Sequence, residues 1–136
     1  MFIHETTYRV RYADTDQMGI VYYGNYARFY EIGRAEALRS LGLEYTKIET
    51  MGIYMPVYEM KTRYIAPAYY DNLLTIRTKI AVIPKTRIVF NDDILNPEMK
   101  VINQGEVTLV FLKRDNNRLT TAPQELIDCF ENVILG

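Results

Sequence analysis

A single segment of helical period precedes a long succession of strand-like runs, and that order restricts the fold more than any other feature of the chain. Between Asn25 and Leu41, the residues Tyr26, Tyr30, Gly33, Ala37 and Leu41 fall on one stripe of a helix, flanked by Phe29 and Leu38. Gly42 is positioned to end it. Gly33 within the stripe costs roughly 1 kcal/mol of helix propensity against alanine, a cost that makes sense where the helix must approach a sheet closely. Ahead of the helix, residues 5–13 alternate, with Tyr8, Val10 and Tyr12 on one side and Arg9 and Arg11 on the other. After it come a short turn or second helix over residues 43–51 and then candidate strands Val57–Ile65, Leu73–Ile83, Arg87–Leu95 and Val101–Lys113. Gly105 inside the last of these suggests a bulge or bend. The stretch "APQELIDCFENV" reads as a closing short helix or edge segment, with Pro123 suited to a first helical position.

This order predicts an α+β fold: an antiparallel sheet holding one principal helix, in a single domain over residues 1–136. One helix cannot cover both faces of such a sheet. The strands are long and rich in Tyr, Val and Ile, so an uncovered face or edge is expected to meet a partner, which predicts an oligomer.

Composition removes several chemistries. Net charge is −1, which advertises neither nucleic acid nor a membrane surface as a partner. No apolar run approaches the roughly 20 residues of a membrane span, and the N-terminus lacks a secretory layout, so a cytoplasmic location is expected by default. A single cysteine, Cys129, excludes an internal disulfide and reads as a buried helix residue. The only histidine is His4, read as a surface residue near a chain end, so histidine-dependent triads lack their base. There is no Cys/His cluster for a metal and no glycine-rich nucleotide loop. An enzyme built from this chain would rely on carboxylates.

Asp14 and Asp16 draw attention for that reason. In "YADTDQMGIVYYGNY", residues 12–26, they stand one residue apart between the first strand and the helix. Read from the residues alone, both fit turn and cap positions. They also fit a site in which a turn's backbone N–H groups polarise a carbonyl oxygen while a carboxylate attacks its carbon or activates water.

The segment "YADTDQMGIVYYGNYARFYEIGRAE" resembles the signature of hotdog-fold acyl-CoA thioesterases of the 4-hydroxybenzoyl-CoA thioesterase type, including the Tol-Pal-associated branch. The matching residues are Asp14, Asp16, Gly19, Ile20, Val21, Tyr22, Asn25 and Tyr26, followed by Glu31 and Arg34; "APAYYDNLLTI" extends the likeness. The resemblance implies a hotdog fold, a curved antiparallel sheet wrapped around one long helix. It implies hydrolysis of an acyl-CoA thioester to free acid and CoA, with CoA part of the substrate and no separate cofactor or metal. It assigns the catalytic carboxylate to Asp16, the oxyanion-donating backbone N–H to Tyr23, and structural roles to Asp14 and Asn25. Tyr22 and Asn25 then belong beside the substrate, and Tyr22, Tyr23 and Tyr26 are candidates to line an acyl pocket. The resemblance also implies an active site between two subunits of a homodimer or homotetramer.

Much of the Tol-Pal branch carries histidine at position 23, where this chain has tyrosine, so a mechanism needing an imidazole there does not carry over. The phosphates of CoA call for a basic rim. Lys85 and Arg87 sit where the family's strand turn meets the nucleotide end; Lys61, Arg63, Lys113 and Arg114 are further candidates, and Glu31 is an alternative catalytic carboxylate. The rival functions are an acyl-carrier-protein thioesterase and a non-catalytic acyl-CoA-binding hotdog protein.

Overall fold

A computed structural model describes residues 1–136. Strand β1 (Phe2–Arg9) leads through a short 3-10 turn into helix α1 (Tyr26–Ser40) and the short helix α2 (Tyr45–Thr50). Then follow β2 (Ile53–Tyr54), β3 (Val57–Tyr64), β4 (Leu73–Ile80), β5 (Arg87–Leu95), β6 (Val101–Lys113), β7 (Leu119–Thr120) and a closing helix α3 (Gln124–Leu135). The long strands form an antiparallel sheet in the order β1-β4-β5-β6, with β3 on the far side of β6; two-residue β2 and β7 also pair with β6. This is the α+β hotdog arrangement expected from the sequence. No helix is long and apolar enough to cross a membrane.

The helical stripe seats α1 on the sheet. Tyr26, Phe29, Tyr30, Ala37 and Leu38 are buried with Leu74, Ile76, Ile88, Phe90, Ile94, Val107 and Phe111 from the facing strands. Gly33 stands where the layers are closest: a Cβ there would lie 2.5 Å from Ile76 Cγ2 and 2.6 Å from Thr78 Oγ1. Gly42, at φ +73°, ends the helix in a left-handed turn. There the N–H of Leu43 donates to the carbonyl of Leu38 at 2.9 Å, and that of Gly42 to Arg39 at 3.0 Å.

Several sequence expectations shift. The first strand ends at Arg9 and Tyr12 is an exposed turn residue, because the carboxylate of Asp14 draws the chain into the 3-10 turn by accepting the N–H of Arg11. The second long strand stops at Ile80, leaving Val82 exposed. Gly105 makes no bulge. Its register with Asp92 and Thr62 is continuous, and its missing side chain makes room for the ring of Tyr30. The C-terminal segment is a twelve-residue helix that buries Leu126 and Phe130, with Pro123 at its N-cap.

One lateral row of the sheet under α1 is polar. His4, Thr78, Asp92, Gly105 and Thr62 are mutual cross-strand neighbours on five strands. Thr78 donates to Asp92 Oδ1 at 2.9 Å, whereas Asp92 Oδ2, His4 Nδ1 and Thr62 Oγ1 are sealed from solvent without partners. His4 is therefore half-buried in β1 and not the surface residue its terminal position suggested.

Candidate active site

Residues 10–26 cross from β1 to α1 by a loop whose shape is set by two aspartates in different ways. Asp14 is almost fully buried. Its Oδ2 accepts the Tyr8 hydroxyl at 2.7 Å and the Arg11 N–H at 2.8 Å, and its Oδ1 is paired with the Arg28 guanidinium. Burial alone would raise its pKa; the Arg11 N–H, the Tyr8 hydroxyl and the Arg28 charge outweigh burial and hold it below the usual carboxylate value. The Asp14 backbone carbonyl accepts the N–H of Tyr22 at 2.9 Å and the side-chain amide of Asn25 at 2.8 Å. Asp14 is thus fully committed to holding the loop.

Asp16 is placed differently. A bridge between Thr15 and Val21 closes a small loop, in which the Asp16 N–H donates to Ile20 and the Gly19 N–H to Asp16, both at 3.0 Å. Gly19, at φ +78°, supplies the left-handed residue that the return requires. One carboxylate oxygen of Asp16 accepts the Met18 N–H at 2.9 Å, a turn bond that orients the group without burying it. The Val21 N–H donates to Ala68 at 2.8 Å, and Ile20 bridges to Tyr69. The two sequence segments that carry the family resemblance are therefore laced together.

Asp16 borders two cavities. One, of about 370 Å³, is mainly apolar, with Val21, Tyr23, Tyr26, Tyr64, Ile65 and Pro67 among its walls. The other, of about 630 Å³, is more open to polar groups and is bounded by Tyr12, Thr15, Gln17, Gly19 and Tyr70. Tyr23 begins a 3-10 turn, Tyr23–Asn25, that runs directly into α1. The N–H groups of Tyr23 and Gly24 have no backbone acceptor, as the leading donors of a helical segment must. They stand at the positive end of the α1 dipole. The Tyr64 hydroxyl donates to the Tyr23 carbonyl at 3.1 Å and ties the end of β3 to this turn.

The other sequence candidates distribute unevenly. Tyr22 is exposed, with its ring 4.6 Å from that of Tyr23, and like Asn25 lines neither cavity. Glu31 is exposed on α1 and also lines neither. Lys85 and Arg87 are exposed at the β4–β5 turn, where the Arg87 guanidinium lies 5.7 Å from the Tyr58 ring centre. Tyr58 and Tyr64 are at opposite ends of β3, about 20 Å apart at strand rise. Within one chain the basic pair and Asp16 are not brought together. Lys61 and Arg63 lie on the sheet face away from α1, and Arg114 stacks over Tyr54. The sequence reading missed Tyr64 and Ile65; the signal available was that they run directly into "APAYYDN".

Comparison with known proteins bears on the family and the fold. The model of the thioesterase superfamily matches residues 18–103. The acyl-CoA thioester hydrolase YbgC of Escherichia coli is 32% identical over 123 residues, spanning 90% of this chain and 92% of the relative. The chloroplastic acyl-acyl carrier protein thioesterase ATL2 of Arabidopsis thaliana is 29% identical over 129 residues, spanning 93% of this chain and 68% of the relative. The crystal structure of DHNA-CoA thioesterase from Staphylococcus aureus superposes with a TM-score of 0.89 at 26% identity, covering 98% of this chain and 91% of the other.

Proposed function

Because the chain belongs to the thioesterase superfamily, we propose that it hydrolyses acyl-CoA thioesters to a free carboxylic acid and CoA, with the carboxylate of Asp16 as the reacting group. The observation that carries this reading is that Asp16 and Tyr23 line one apolar cavity suited to an acyl group, with the N–H groups of Tyr23 and Gly24 unspent at the start of α1.

The thioester carbonyl oxygen accepts the N–H of Tyr23, so charge developing on that oxygen meets fixed donors and a helix N-terminus. Asp16 takes a proton from water as the water oxygen bonds to the carbonyl carbon. The tetrahedral intermediate then expels CoA as its thiolate, breaking the C–S bond, and the proton passes to the products. A thiolate is a good leaving group, so no strong acid is required near Asp16, in keeping with the lack of any histidine in the motif. In the alternative route Asp16 adds to the carbonyl carbon itself, and water opens the resulting anhydride. Label found in Asp16 after a single turnover in ¹⁸O water identifies the anhydride route, since that route alone, by attack of water on the Asp16 carbonyl, can put it there.

The reading includes a second copy of the chain. Strand β3 pairs only with β6, its outer edge is free, and Val57, Tyr58, Met60, Tyr64 and Ile65 along it are exposed. Antiparallel pairing of two β3 edges about a twofold axis sets the Tyr58 end of one copy beside the Tyr64 end of the other. Lys85 and Arg87 of the partner then approach this chain's Asp16 cavity and meet the CoA phosphates.

The likeness to ATL2 favours one second reading, in which the phosphopantetheine arm is carried by a protein. Thiol release from a panel of short, long and aryl CoA esters tests the main reading, with the same acyl groups on acyl carrier protein as the comparison. Good turnover of the protein esters alone selects the second reading, and tight CoA binding without release of thiol from any ester rejects hydrolysis.

A further inference from the structure

The apolar cavity beside Asp16 has one polar group without a partner at its base. The residues around it divide by exposure: Met18, Tyr23, Tyr64 and Ile65 are exposed and form the mouth, while Val21 and Tyr26 are buried and form the floor. Tyr26 is only 3% exposed, yet its hydroxyl bonds to no other group of the protein and is not among the side-chain polar atoms sealed from solvent. What remains open of Tyr26 therefore includes its hydroxyl.

Neither ring packed on Tyr26 offers its hydroxyl a partner. Tyr64 is bonded through its hydroxyl to the Tyr23 carbonyl, and its ring meets Tyr26 edge-on at 5.6 Å. Phe29 also meets Tyr26 edge-on, at 5.4 Å. These aromatic neighbours hold the Tyr26 ring in place, so its hydroxyl stays at the cavity floor. With the cavity empty this hydroxyl is served by water alone; a group that fills the cavity without offering it an oxygen removes that water and leaves it unpaired, which is unfavourable, and phenylalanine would satisfy the packing alone.

We propose that the Tyr26 hydroxyl is the specificity-determining donor of the acyl cavity, and that the preferred acyl groups carry an oxygen, as hydroxyl or carbonyl, that it can bond. The inference rests on the thioesterase reading of the same site. Burial, and then the nearby Tyr64 phenol, push the Tyr26 pKa up to about 12, so it stays a donor across the working range of pH. An unsubstituted alkyl or aryl group of matching size fills the cavity but leaves this donor dry and unpaired. Sites built to bond a substrate oxygen discriminate against analogues lacking it for that reason.

The test uses matched CoA esters: butyryl with hydroxybutyryl, hexanoyl with hydroxyhexanoyl, and benzoyl with hydroxybenzoyl. Wild-type protein is expected to favour at least one oxygenated member by roughly tenfold or more in kcat/KM, and Tyr26→Phe is expected to bring that ratio close to one. Equal kcat/KM across every pair, or a preference that survives Tyr26→Phe, overturns the proposal. A second measurement needs neither turnover nor the variant: calorimetric binding of the matched free acids to the wild-type protein. Tighter binding of an oxygenated acid supports the proposal, and equal binding across all pairs overturns it. Failure to hydrolyse any thioester would instead strike the reading of the site, with acid binding still deciding the role of Tyr26.

Discussion

The side-chain amide of Asn25 donates to the backbone carbonyl of Asp14 at 2.8 Å, so the residue that precedes α1 grips the loop that precedes Asp16. The Tyr22 N–H reaches the same oxygen at 2.9 Å. Two donors on one carbonyl fix the Tyr23–Asn25 turn relative to the small loop carrying Asp16, and hence the proposed oxyanion donors relative to the proposed carboxylate.

Asn25→Ala removes one of these bonds and leaves Asp16 and the Tyr23 N–H chemically intact. The expected stability cost is about 1 kcal/mol. The larger effect should fall on kcat, roughly 10²-fold for a donor displaced by about 1 Å, with a smaller change in KM. Steady-state kinetics beside thermal melts check this; a fall in melting temperature with kcat unchanged would make Asn25 merely structural.

The two aspartates should separate cleanly. Asp16→Asn is expected to lower thioester turnover by a factor on the order of 10²–10⁴ and to leave the melting temperature and oligomeric state as they were. Asp14→Asn should destabilise the fold by about 1–3 kcal/mol, since a group bonded to Tyr8, Arg11 and Arg28 loses its charge and one acceptor. The Asp14 pKa is depressed in the folded state, so its contribution is fully present above the ordinary value of 3.8 and is lost as pH falls through the lower folded value. Acid unfolding followed by circular dichroism should therefore begin at higher pH in Asp14→Asn than in Asp16→Asn.

Much of this was legible in sequence, and what was missed has common causes. Periodicity located α1 and the long strands because each has one face against a shared core. The resemblance carried by residues 14–26 pointed to Asp16 and to the turn at Tyr23. Gly33 was readable as a close approach of helix to sheet, because a glycine inside a helical stripe has few other uses. Gly105 was misread as a bulge: its need arises from the ring of Tyr30, 75 positions earlier in the chain, and no local pattern encodes it. β2 and β7 escaped notice because two residues show no period. The separation of Lys85 and Arg87 from Asp16 was invisible for the same reason as Gly105, since it depends on which end of β3 each one reaches.

The polar row beneath α1 has a measurable cost. Burial first, and then Asp93, raise the Asp92 pKa to about 7 against the opposing effects of Thr78, Arg34 and Lys79. A carboxyl whose folded pKa lies above its unfolded value holds its proton more tightly when folded, so stability declines as pH rises from about 4 to about 7 and is level beyond. Asp92→Asn removes that titration while keeping the shape. It should raise stability at pH 8 by about 1–4 kcal/mol and change it little at pH 4. Denaturant melts of both proteins at the two pH values check this, and an equal difference at both would mean that Asp92 does not titrate in the window.

The proposed sharing of one site by two copies makes a prediction that no single-chain site could satisfy. Asp16→Asn alone should inactivate both sites of a homodimer, and a Lys85→Glu/Arg87→Glu double variant should weaken both by repelling the CoA phosphates. If the acidic and basic halves come from different copies, a hybrid of these two proteins regains one site made entirely of wild-type residues and concentrates all the damage in the other. Random reassembly would make half the dimers hybrid, so thiol release should recover to about a quarter of the wild-type rate. If each site is built within one chain, every site in the hybrid keeps one defect and mixing restores nothing. Unfolding the two variants together, refolding them, and assaying the mixture against the separately refolded proteins distinguishes these arrangements.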